Sequence, residues 1–190
     1  AGIKHAALEC AALVAPSARA RKKGVYFRKR AIKILRASSF VAPNIIARGF
    51  HSAHPATARY HPDELRKEYI RNLQESDFAL AVRGDANASM RLFEAMSLGR
   101  VTALLDTDTV LPLEDRVPYD ECMVRVDYRE IETLPARIRE FYDRFSPEEW
   151  MRVQRRAREL FEQYLRPDAF FRTVFADAKP LCSLIKKRSI

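Results

Sequence analysis

Along Phe78 to Leu105 the spacing of apolar residues changes period twice. Phe78 to Val82 is a short apolar run that ends at Arg83-Gly84-Asp85 and predicts a strand. From Ser89 onward the spacing becomes helical: Leu92, Phe93 and Met96 fall where one face of a helix can bury them. Ser89 is placed to be the N-cap of that helix, and Gly99 stands where a C-terminal stop belongs. A second apolar run, Val101 to Leu105, follows at once. A strand, a crossover helix and a strand in so little sequence make a βαβ unit. Its parallel strands and right-handed connection place the loop at the carboxyl edge of a sheet, where ligands bind in α/β proteins.

The flanking segments read as further α/β elements. His61-Pro62-Asp63-Glu64 opens a helix with proline in its first turn and acids facing the dipole, and Leu65, Tyr69, Ile70 and Leu73 form its buried stripe. Met123 to Val126 predicts another strand and Pro135 to Phe145 a helix. Ser146-Pro147-Glu148-Glu149 is a capping signal for a helix burying Trp150, Val153, Ala157, Leu160, Phe161 and Tyr164. Nearer the start, Phe27, Ala31, Ile34 and Leu35 repeat at i, i+4, i+7 and i+8, predicting an amphipathic helix with its basic side in water. Residues 6 to 15 read as a helix packing through Ile3, Ala7, Leu8 and Ala11. Residues 38 to 60 carry Pro43, Gly49 and Pro55 and predict a strand near Phe40 and a loop. Lys186-Lys187-Arg188 reads as a frayed end.

Charge changes this picture at one end only. Residues 1–60 hold 12 Lys and Arg against the single acid Glu9, whereas residues 61–190 hold 22 against 24. The excess, densest at Arg19 to Lys23 and Arg28-Lys29-Arg30, could attract a diphosphate, an acidic glycan, nucleic acid or an anionic membrane surface. A solvated helix face explains it more simply. Few aromatic residues interleave with the charges as a single-strand binder requires, so no nucleic acid is expected as a partner. No segment is long and apolar enough to span a membrane: AALECAALVA is interrupted by Glu9 and falls far short of the ~20 residues needed. It also lacks the n-region and cleavage site of a signal peptide.

The loop chemistry suits an anion. Arg83 offers a planar fork of donors, Gly84 lets backbone approach closely, and free amides near Ser89 lie at the positive end of the helix dipole. Arg91 adds a second cation in the first helical turn, and the Glu94 carboxylate could accept from two adjacent ribose hydroxyls. The same residues also suit a solvated ion-pair cluster, and no Gly-rich dinucleotide or P-loop pattern is present. Asp106-Thr107-Asp108 matches an Asp-x-Asp metal-holding pattern, but Asp and Thr also simply favour turns. His51 and His54 are spaced for chelation without a third ligand nearby. Cys10, Cys122 and Cys182 are too far apart for a zinc site and read as buried thiols, so no metal site is assigned.

Taken in order, Ser76 to Asp85, then Ser89-Met90-Arg91-Leu92-Phe93-Glu94-Ala95, then Gly99, then Leu111-Pro112-Leu113-Glu114-Asp115, the motifs resemble the nucleotide-sugar-binding half of exostosin-like glycosyltransferases. The resemblance covers roughly residues 60 to 165, and the basic segment near Arg28 to Arg36 more loosely. It departs from the family in having Val82 where a proline is common. It implies a Rossmann-like parallel sheet flanked by helices, a single GT-B half-domain. Residues 1–60 would be its basic helical part and 61–190 the donor-binding region.

By the same resemblance, Arg83, Ser89 and Arg91 would face the diphosphate of the donor, Glu94 would hold the ribose, and Gly84 and Asp85 would complete the loop. The expected donor is a UDP-sugar, bound without a metal cofactor, and the acceptor a glycan hydroxyl. Transfer would invert, with the general base supplied by an N-terminal acceptor half. At this length the chain has room for one domain, so it reads as a fragment or a stand-alone donor domain, in keeping with Ala1 at its start. The family resemblance further implies a Golgi lumenal setting, with the anchor elsewhere. A non-catalytic basic binding module is the alternative.

Overall fold

Strands β1 (Phe78–Val82), β2 (Val101–Asp106) and β3 (Met123–Asp127) pair in parallel in that order, with Phe78 opposite Val101 and Thr102 opposite Met123. The computed structural model describes residues 24–47, 61–84 and 86–177. The expected α/β architecture is present: a parallel sheet with helices on both faces. The helix of residues 6–15, the basic run 19–23, His51, His54, Asp85, Cys10, Cys182 and the tail at 186–188 lie outside the described residues.

The central strand explains the layering. Every residue from Val101 to Leu105 is buried, which for a parallel strand means apolar cover on both faces. On one face Val101, Ala103 and Leu105 join Val82, Val124 and Val126 beneath Phe27, Ala31 and Leu35 of α1 (Gly24–Ala37). Ile138 and Phe141 of α4 (Leu134–Tyr142) complete that layer. On the other face Leu104, Ala81 and Met123 meet Leu92 and Met96 of α3 (Met90–Ser97), the crossover helix, and Ala157 and Leu160 of α5 (Pro147–Leu160). The alternation along each strand sorts its residues between these two cores. Helix α2 (Pro62–Gln74) closes the flank of β1, where Leu73 packs with Ala79 and Ala95.

The second crossover, from β2 to β3, contains no α-helix. Residues 107–122 run as turns and a 3-10 turn, Tyr119–Glu121, and bury Leu111, Val117 and Tyr119 on the face that α3 covers. The Tyr119 hydroxyl donates to Pro112 O at 2.8 Å, holding the first turn of this segment. Cys122 ends it as a buried free thiol, pushed up to about 12 mainly by burial and so unreactive at neutral pH.

Local signals set the helix ends. Ser146 Oγ accepts from Glu149 N at 3.3 Å while Glu149 Oε2 accepts from Ser146 N at 2.8 Å, the capping box the sequence predicts. Gly99 takes φ +65° just past α3, a conformation that favours glycine, and the Arg158 side chain of α5 donates to Ser97 O there. Trp150 Nε1 donates to Asp77 Oδ1 at 3.0 Å, joining the start of α5 to the start of β1 within a cluster of Phe78, Phe141, Tyr142 and Phe145.

Two expectations are corrected. No strand forms near Phe40: the chain bends there, Phe40 is 56% exposed, and Val41 alone turns partly onto the core. Pro43, which lacks the N–H a ladder needs, follows two residues later. The helix opened by Ser146 also changes geometry before the end of its apolar stripe. A π-helical turn, Phe161–Leu165, succeeds α5 and leads to α6 (Pro167–Asp177), and Val153, Phe161 and Tyr164 are only half-buried.

Thr102 sits fully buried in β2 with its hydroxyl oxygen meeting no hydrogen-bond partner. Thr102→Val removes that uncompensated group and is expected to stabilise the fold by about 1 kcal/mol, read as a higher urea midpoint at unchanged slope. A lowered midpoint would refute this account.

Candidate functional site

The loops leaving β1 and β2 meet at the carboxyl edge of the sheet, and side chains tie them together. Asn87 Nδ2 donates to Thr107 O at 2.9 Å and Asp108 O at 3.0 Å, while the Thr107 hydroxyl donates to Asn87 Oδ1 at 2.5 Å. Within the first loop Gly84 N donates to Ala88 O at 3.1 Å. The loop is therefore held from both ends before α3 begins.

Most sequence-predicted residues lie along this edge. Arg83 and Gly84 are half-buried where β1 ends. Ser89 occupies the N-cap position of α3 with φ −129° and ψ 114°, yet its hydroxyl makes no capping bond. Arg91 and Glu94 are exposed on α3, three residues apart and so on one face of the helix. Both turn toward α2. Tyr69 Oη donates to Glu94 Oε2 at 2.5 Å, and the Arg91 guanidinium lies 5.0 Å from the Tyr69 ring centroid.

Helix α1 reaches the same edge, which its basic run did not reveal. A Cβ on Gly24 would fall 2.0 Å from Arg83 O and 2.7 Å from Gly84 O, so the first residue of α1 rests directly on the loop backbone. Arg28 lies one turn on from Gly24, on the same side of α1, and helical side chains lean back toward the N-terminus. Its guanidinium is drawn below the ordinary arginine range by burial and then by the positive charge of Arg91. The charges of Arg28 on α1 and Arg91 on α3 thus bear on one another. Arg30 does not join them: its guanidinium is spent on Glu132 at 2.6 Å.

Packing of backbone on backbone within the protein demands glycine at position 24 and not at 84. A Cβ on Gly84 would meet nothing nearer than Ala88 O at 4.0 Å. Tyr69 and Arg28 are the site-facing residues that the sequence reading assigned elsewhere, to core and to solvent. Only the proximity of the tyrosine to a helix face carrying both Arg91 and Glu94 could have singled it out.

The Asp-x-Asp pair serves the turn after β2. Asp106 Oδ1 accepts from Thr109 N at 2.7 Å and Oδ2 from Arg125 Nε at 2.8 Å. Arg125 also donates to Glu114 Oε1 at 2.6 Å and Thr109 O at 2.8 Å, so one guanidinium draws together the turn and the Leu111-to-Asp115 motif. Asp108 has φ +60° and lies 3.5 Å from Arg129 Nη1. No group of three or more His, Cys, Asp or Glu among the described residues is arranged to hold a metal ion.

Comparison with known proteins agrees with the family resemblance. A rice (Oryza sativa subsp. japonica) protein named a probable glucuronosyltransferase is 36% identical over 83 residues, 44% of this chain and 17% of the rice protein. Exostosin-1 of Drosophila melanogaster is 33% identical over 82 residues, 40% of this chain and 11% of the fly protein. This chain is related to the exostosin-like glycosyltransferases. No family model matches it. The similarity spans only a small part of the length of either relative.

Two outcomes follow from this geometry. Gly24→Ala forces a methyl group into the Arg83 and Gly84 carbonyls and is expected to cost about 1–3 kcal/mol in chemical denaturation; an unchanged midpoint would refute the contact. Asp106→Ala strips the acceptor from Thr109 N and Arg125 and is expected to cost about 1–3 kcal/mol. Asp108→Gly, at a backbone angle glycine favours, should cost less than about 0.5 kcal/mol, and equal losses for the two would show that the turn does not depend on Asp106.

Proposed function

We propose that this domain is the donor-binding half of a GT-B glycosyltransferase, holding a nucleoside diphosphate sugar, a UDP-sugar, at the carboxyl edge of β1. The observation that carries the reading is geometric: Gly24 of α1 rests on the Arg83 and Gly84 carbonyls beside the N-terminus of α3, where Arg91 and the Glu94 carboxylate share one helix face, and Arg28 feels the charge of Arg91. Like charges brought together repel, and an anion between them relieves that repulsion. Diphosphate charge on Arg83, Arg91 and the first-turn amides, with ribose hydroxyls on Glu94, satisfies each group by its own chemistry.

In this reading the domain acts on the leaving-group side of sugar transfer. As the sugar–phosphate bond breaks, negative charge grows on the departing diphosphate. Positioned guanidiniums and helix-start amides stabilise that charge without a metal. Transfer to a glycan hydroxyl proceeds with inversion, and the base that takes the acceptor proton belongs to an acceptor-binding half, for which the greater length of the relatives leaves room. The setting is the Golgi lumen. No helix among the described residues is long and apolar enough to cross a membrane.

Calorimetric titration with UDP and GDP, with and without Mn²⁺, tests the proposal. UDP is expected to bind without Mn²⁺, and Arg83→Ala or Glu94→Ala to weaken it at least about tenfold, ~1.4 kcal/mol. Affinity that survives both substitutions and instead falls steeply with salt would replace this reading with that of a basic module for acidic polymers.

A further inference from the structure

Tyr69 stands at the centre of α2, four residues from each of its buried anchors, Leu65 and Leu73. Leu73 is wedged with Ala79 of β1 and Ala95 of α3, and Tyr69 and Leu98 pack against the same cluster. Asn72 Nδ2 donates to Asn44 O at 3.0 Å, tying α2 to the segment after α1 as well. The ring is therefore carried by an element fixed on several sides. Its two polar contacts both go to α3, the hydroxyl to Glu94 Oε2 at 2.5 Å and the ring face to the Arg91 guanidinium at 5.0 Å.

Arg91 and Glu94, three apart on one helix face, are spaced to close on each other as an ion pair. Tyr69 offers each a different partner: a phenolic donor for the carboxylate and a π face for the guanidinium. We infer that Tyr69 is a positioning residue of the donor site, fixing the Glu94 carboxylate by its hydroxyl and the Arg91 guanidinium by its ring, so that α2 sets the grip on the ribose hydroxyls. The inference rests on the donor-binding reading of this edge.

The chemistry is consistent across the cluster. With Oε2 taken by the phenol, Glu94 has one fixed orientation, and its remaining lone pairs are aimed rather than swinging with a free side chain. Burial, and after it the hydrogen bond to Glu94, push the phenol up to about 12, so it stays protonated and remains a donor throughout the physiological range. Exposed glutamates lose considerable rotamer freedom when a ligand orders them. Tyr69 imposes that order beforehand, which is how a residue without ligand contact raises affinity.

Tyr69→Phe separates the two roles, because it keeps the ring under Arg91 and removes only the donor to Glu94. Titration with UDP and with 2′,3′-dideoxyuridine 5′-diphosphate, which lacks the ribose hydroxyls, reads them apart. Tyr69→Phe is expected to lower UDP affinity about five- to twentyfold and to leave the dideoxy analogue at its wild-type affinity. Tyr69→Ala, losing the ring as well, is expected to weaken both. Adding Glu94→Gln to Tyr69→Phe should bring little further loss, since the two act through one contact. UDP binding that falls in Glu94→Ala but not in Tyr69→Phe would overturn the positioning role alone. Wild type that binds neither nucleotide would overturn the donor reading and the inference with it, whereas wild type that binds both equally would overturn the ribose role of Glu94 and with it the inference.

Discussion

The burial of β2 on both of its faces governs this molecule. A parallel strand cannot be joined to its neighbours by a tight turn, and an apolar strand with two covered faces needs a layer on each side. Helices α1 and α4 supply one layer, α3 and α5 the other. With all strands pointing the same way, their exits gather at one edge. The polar groups that a buried sheet cannot accommodate collect there, and the loops must satisfy them.

That edge divides into two kinds of chemistry. Around Asp106, Asn87 and Arg125 the polar groups satisfy one another, and the result is a braced turn. Around Arg28, Arg91, Ser89 and Glu94 the balance differs. Arg28 feels the charge of Arg91, the hydroxyl of Ser89 does not cap its helix, and the Glu94 carboxylate accepts from the Tyr69 phenol. One side of the edge is thus braced by its own polar groups, and the other carries more cation than carboxylate.

Much of this was legible in the chain. The switch of period between Val82 and Ser89 located β1 and α3 to within a residue, and Ser146 to Glu149 named their own capping box, because such signals are local. What failed did so for lack of tertiary information. Phe40 and Val41 look like the start of a strand, yet a strand exists only where a neighbour pairs with it, and Pro43 follows. Tyr69 repeats with Leu65 and Leu73 at helical spacing, and periodicity cannot tell a ring that is buried whole from one whose hydroxyl reaches a carboxylate on another helix. Arg28 belongs to a charge run that suggests a solvated face and is indeed exposed, but only the contact of Gly24 with the loop backbone shows that its helix reaches the edge where Arg91 lies. The Asp-x-Asp pair carried a plausible motif, whereas its hydrogen bonds go to Thr109 and Arg125.

Ala79 and Ala81 on β1 and Ala95 on α3 are almost wholly enclosed, and each offers only a methyl group between helix and sheet. The thickness of that layer decides how far Arg91 and Glu94 stand above the strand ends. Residues that touch no ligand thus act as shims beneath the site. A single added methylene in that layer would tilt the helix and lift Arg91 and Glu94 from the strand ends while the strands kept their register.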